Sequence, residues 1–95
     1  MSDQPKAIPR ALRGKEGELI LVRVSIDPKL LEELLDSLAN LDFPVNPQIY
    51  HSKPTVVEFP AYAPWLDGVY MRLALDGFGR ECVSVSPMLS AIAVA

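Results

Sequence analysis

From Glu18 to Ile26 the residues alternate, with Ile20, Val22, Val24 and Ile26 on one side and Leu19, Leu21, Arg23 and Ser25 on the other, and at Asp27-Pro28 the alternation stops. Period two marks a strand with one face in a core, and the β-branched set belongs inside. Asp27 offers a carboxylate to the free amides of a first helical turn, and Pro28 lacks the N–H that such a turn leaves unpaired. A helix is predicted directly after it. Leu30, Leu31, Leu34, Leu35, Leu38 and Leu41 recur at helical spacing, while Lys29, Glu32, Glu33, Asp36 and Asn40 take the wet side. Asp42-Phe43-Pro44 is expected to end this helix, since a residue before proline is pushed out of helical geometry.

Alternation returns over Val45 to His51, where Pro47 removes a ladder donor and so argues for an edge strand. Pro54 to Pro60 reads as a further short strand, close enough to the previous one to form a hairpin. Between Tyr62 and Asp76 the positions Leu66, Val69, Tyr70, Leu73 and Ala74 fit a helix, and Gly77 follows as its stop. Glu81 to Ser86 is the closing strand, with a short turn or helix expected from Pro87 onward.

The order is therefore βαββαβ. It specifies an α+β, ferredoxin-like fold, with two helices on one face of a four-stranded antiparallel sheet in strand order 4-1-3-2. The other face of the sheet stays uncovered. Ninety-five residues at 49% apolar content suit one domain and one core. We read residues 1–17 as a flexible N-terminal tail and 18–95 as the domain. The tail segment 1–16 holds four basic and two acidic groups, whereas 17–95 holds five basic and ten acidic. An acidic domain repels phosphate backbone, so no nucleic acid is expected as a partner. The apolar stretches fall well short of the roughly 20 residues that span a bilayer, and no membrane partner is expected. The single cysteine, Cys82, excludes an internal disulfide and points to a reducing, cytoplasmic setting.

The strand ending in Asp27-Pro28, the leucine-rich helix and the exit Phe43-Pro44-Val45-Asn46-Pro47-Gln48-Ile49 into the second strand resemble ACT-type regulatory modules and related small ligand-sensing ferredoxin-like domains. The resemblance covers about a third of the chain closely and the rest in element order. It implies a regulatory domain that dimerises or senses an effector. ACT modules usually carry a glycine just after the Asp/Pro turn, and this chain has Lys29 there.

Projected onto the open face, the alternation places Leu19, Leu21, Arg23 and Ser25 from the first strand, Asn46, Gln48 and Tyr50 from the second, Val56 and Glu58 from the third, and Cys82, Ser84 and Ser86 from the fourth. The first and third strands are central neighbours, so Arg23 and Glu58 are expected to form a cross-strand ion pair. With Asn46, Gln48 and Tyr50 they make the candidate site for a small polar ligand. Leu19, Leu21 and Val56 make a candidate self-association surface, and Trp65, beside Tyr62, Pro60 and Pro64, is a staple for the second helix or an interface anchor.

No residue is assigned to catalysis or to a metal, and no cofactor is expected. His51, the lone histidine, has no carboxylate or second histidine near it in sequence. Glu32, Glu33 and Asp36 sit where the helix dipole favours negative charge, and Cys82 reads as a packing residue.

The leading expectation is thus a non-enzymatic, ACT-like module that forms a homodimer and senses a small polar ligand. Two alternatives share the topology. One is a small dimeric enzyme with a pocket between sheet and helices, built on His51 with Glu58 or Tyr50. The other is an RNA-binding domain, which stacks bases on aromatic residues of its two central strands, where this chain has Leu21, Arg23, Val56 and Glu58.

Residues 1–16 lack an apolar period that would offset the entropy of ordering them. A chain beginning at Gly17 is expected to melt within a few degrees of the full one, as measured by circular dichroism.

Overall fold

The computed structural model of the chain describes residues 13–14 and 17–88. Strands β1 (Gly17–Ile26), β2 (Gln48–Tyr50), β3 (Thr55–Tyr62) and β4 (Val83–Pro87) form one antiparallel sheet in the order β2-β3-β1-β4, joined by helices α1 (Leu31–Ala39) and α2 (Leu66–Leu75). This is the ferredoxin-like βαββαβ arrangement that the sequence order specifies. A two-residue strand, Arg13–Gly14, pairs antiparallel with the start of β1. The rest of the tail and the residues after Met88 lie outside the described residues; Pro87, expected to open a turn or helix, instead ends β4.

The core is the space between the sheet and its two helices. Ile20, Val22, Val24 and Ile26 of β1 and Val57, Phe59 and Ala61 of β3 are buried against Leu34 and Leu38 of α1 and Val69 and Leu73 of α2. The period-two and period-3.6 sets meet there because each element has one apolar side to remove from water.

The start of the first helix follows its local chemistry. The Asp27 side chain accepts a hydrogen bond from the Lys29 N–H at 2.9 Å, and Pro28–Leu30 form a single 3-10 turn that leads into α1. The helix ends three residues before the expected Asp42. Asn40 Nδ2 donates to the Asp36 carbonyl at 3.1 Å, and the Asn40 and Leu41 amides close short bonds to Ser37 and Leu38. Asparagine competes with the backbone for those carbonyls, and the helix stops there.

Proline explains the differences in β2 and β3. β2 begins only at Gln48, after Pro47, which lacks a ladder donor. β3 runs two residues past Pro60, which is tolerated because β2 begins opposite Glu58 and leaves β3 with one neighbour beyond that point. β4 starts two residues later than expected, since Arg80–Cys82 form a 3-10 turn. Cys82 therefore leaves the open face and packs, partly buried, against the core.

The end of α2 is a Schellman motif. Gly77 at φ 93° lets its own amide donate to Ala74 and the Phe78 amide donate to Leu73, and this turns the Phe78 ring into the core. Gly68 differs: its φ is negative, and a Cβ there would meet nothing within 4 Å. Both glycines have room for a methyl group, and only one needs its backbone freedom. Gly68→Ala is expected to raise stability by about 1 kcal/mol, and Gly77→Ala to lower it by about 1–2 kcal/mol. Urea denaturation of the two variants reads the opposite signs.

Candidate functional site

The open face of the sheet is ordered into rows by the strand register. One row runs across all four strands: Ser84 of β4 opposite Arg23 of β1, Arg23 opposite Glu58 of β3, and Glu58 opposite Gln48 of β2. Toward one end the next row holds Ser25, Val56 and Tyr50. Toward the other end Leu21 lies between Pro60 and Ser86, and Leu19 lies opposite Tyr62. A polar centre is thus flanked by an apolar end.

At the centre Arg23 Nε donates to Glu58 Oε2 at 2.6 Å. Tyr50 Oη donates to the second carboxylate oxygen, Oε1, at 3.3 Å. The partners differ in their exposure to water, the Arg23 side chain being 55% exposed and that of Glu58 12%. Glu58 is thus largely withdrawn from solvent, with its charge answered by one guanidinium and one phenol. Among the described residues neither terminal amino group of Arg23 is engaged. They lie beside a shallow hollow lined by Ser25, Tyr50, Val56 and Ser84.

The expected site residues are therefore brought together in part. Arg23, Glu58, Gln48 and Tyr50 share the open face, and Leu19, Leu21 and Val56 lie half-buried around them. Asn46 is exposed but precedes β2, outside the ladder. Trp65 stands apart from this face, at the start of α2. Its ring lies 4.2 Å from Phe43 and packs edge-on against Tyr62 at 4.9 Å. Phe43 in this junction carries no sequence signal beyond lying before a proline.

His51 is exposed in the loop after β2, and no described group of three or more His, Cys, Asp or Glu side chains is placed to hold a metal ion. No described helix is long and apolar enough to cross a membrane.

Compared with protein-family models, curated proteins and solved structures, the chain matches none.

The unequal exposure of the ion pair has a measurable result. Arg23→Ala strands a carboxylate that is largely out of water, which costs about 1–3 kcal/mol. Glu58→Gln leaves an exposed guanidinium that water can solvate, and its cost is expected below about 1 kcal/mol. Urea denaturation of the two variants measures the asymmetry.

Proposed function

We propose that this chain is a non-enzymatic, ACT-like binding module that self-associates through the open face of its sheet and takes a small polar ligand beside Arg23. The observation that carries the reading is the Arg23–Glu58 pair at the sheet centre with half-buried Leu19, Leu21 and Val56 around it. Exposed patches that mix apolar side chains with a few fixed polar groups are typical of interaction sites. A two-fold axis that runs between the pair along the strands would lay each Arg23 over the partner copy's Glu58, so that the surface complements itself in charge. The amino groups of Arg23 that Glu58 does not use favour a ligand with an anionic or carbonyl oxygen.

The two alternatives are less well supported. An enzyme with a pocket between sheet and helices needs an ionisable pair in that layer, and the buried polar residues among those described are Ser37 and Thr55 alone. Tyr50 and Glu58 lie on the opposite face. An RNA-binding surface needs aromatic rings at the middle of the central strands, where Leu21, Arg23, Val56 and Glu58 stand, on a domain with twice as many acidic as basic groups.

Sedimentation velocity at micromolar concentration tests the reading. The unmodified chain is expected to run as a dimer, and Leu21→Asp, which sets a carboxylate into the apolar end of the face, to shift it to monomer. A monomeric unmodified chain removes self-association from the proposal.

A further inference from the structure

On the exposed side of the two helices, away from the Arg23 site, runs a furrow with two unlike halves. One half is mostly apolar, formed by Leu41, Phe43, Trp65, Met71 and Leu75 with Gly68 among them, and its charged residues Asp42 and Arg72 offset one another. The other is acidic, formed by Glu33, Asp36 and Asp76 with Ser37. Asn40 lines both, so the halves are continuous.

Three features of this furrow have no explanation among the described residues. Met71 and Leu75, one turn apart on α2, are 66% and 68% exposed. Gly68 weakens the helix, although no neighbour within 4 Å requires a glycine. The Ser37 hydroxyl, in a residue 1% exposed, has no hydrogen-bond partner among the described residues. A second backbone lying close over α2 accounts for the glycine, and its apolar side chains would cover Met71 and Leu75.

We propose that this furrow docks a basic amphipathic helix of another protein. Charge complementarity selects that occupant. The three carboxylates are not grouped to hold a metal ion, and together they favour a ligand that brings lysine or arginine side chains. The apolar half alongside asks for leucine-like residues on the same ligand. A helix in a groove reads its partner through such a stripe. A second copy of this chain would offer Arg72, the one cation among the described residues of its furrow, to three carboxylates, and an anionic lipid surface would be repelled.

The test is fluorescence anisotropy of the full chain with two labelled synthetic helices, one of leucine and lysine and one of leucine and glutamate with the same apolar face. Saturable binding of the lysine peptide is expected, with the glutamate peptide weaker by about tenfold or more. Gly68→Gln, a substitution into open space by a good helix former, is expected to keep the fold and to weaken the lysine peptide about tenfold. The double variant Glu33→Gln/Asp76→Asn is expected to weaken it about fivefold and to flatten its salt dependence. Circular dichroism confirms that each variant is folded.

Absence of saturable binding, equal binding of both peptides, or unchanged affinity in folded Gly68→Gln overturns the proposal. So does conversion of a dimer to a monomer by Met71→Asp, which would make the furrow the self-association face. Because Leu21→Asp alters only the sheet face, its outcome and that of the furrow variants are independent.

Discussion

The pairing of β1 with β3, from Leu19 opposite Tyr62 to Ile26 opposite Thr55, is the contact from which the other surfaces of this protein follow. β1 is also paired along its other edge with β4, from Ile20 opposite Pro87 to Val24 opposite Val83. With both edges occupied, its register is held from two sides. Because side chains alternate, a slip of one residue would carry Val22 and Val24 into water and Arg23 into the core. The penalty for burying an unpaired guanidinium is far larger than any gain from a different pairing. The core and the open face are thus two consequences of one register.

That register also gives the Arg23–Glu58 pair its character. Directly opposite residues of neighbouring strands bring their side chains within reach, and here they do so at the middle of a face otherwise flanked by Leu19, Leu21 and Val56. The neighbouring side chains remove Glu58 from most of its water while leaving Arg23 exposed. A charge that is sheltered and answered from one side makes a fixed feature. The exposed half of the pair is the part able to meet something else.

The helical layer solves a different problem. α1 and α2 each use one side to cover the sheet, and the junction of Phe43, Tyr62 and Trp65 fixes how α2 leaves β3. On the outer side Arg80 lies 4.1 Å over the Tyr70 ring, which ties the turn before β4 back to α2. What remains between the helices is the furrow, apolar beside Trp65 and acidic beside Asp76. The protein therefore presents two chemically distinct surfaces on opposite sides of one core.

The sequence by itself determined the element order, the inward set of β1, the Asp27 cap, the stop at Gly77 and the pairing of Arg23 with Glu58. Each follows from a period, a cap or a neighbour relation that acts over a few residues or between strands whose order the topology dictates. The tertiary structure alone decided where elements stop and what lies at their ends. Asn40 ended α1 before Pro44 was reached. The Arg80–Cys82 turn took Cys82 off the open face, and the Schellman turn sent Phe78, which belongs to no periodic run, into the core. The furrow has the same origin, since residues 33 and 76, or 41 and 71, have no relation along the chain. They meet because two helices pack on one sheet, and that distance is set by packing, to which no local pattern refers.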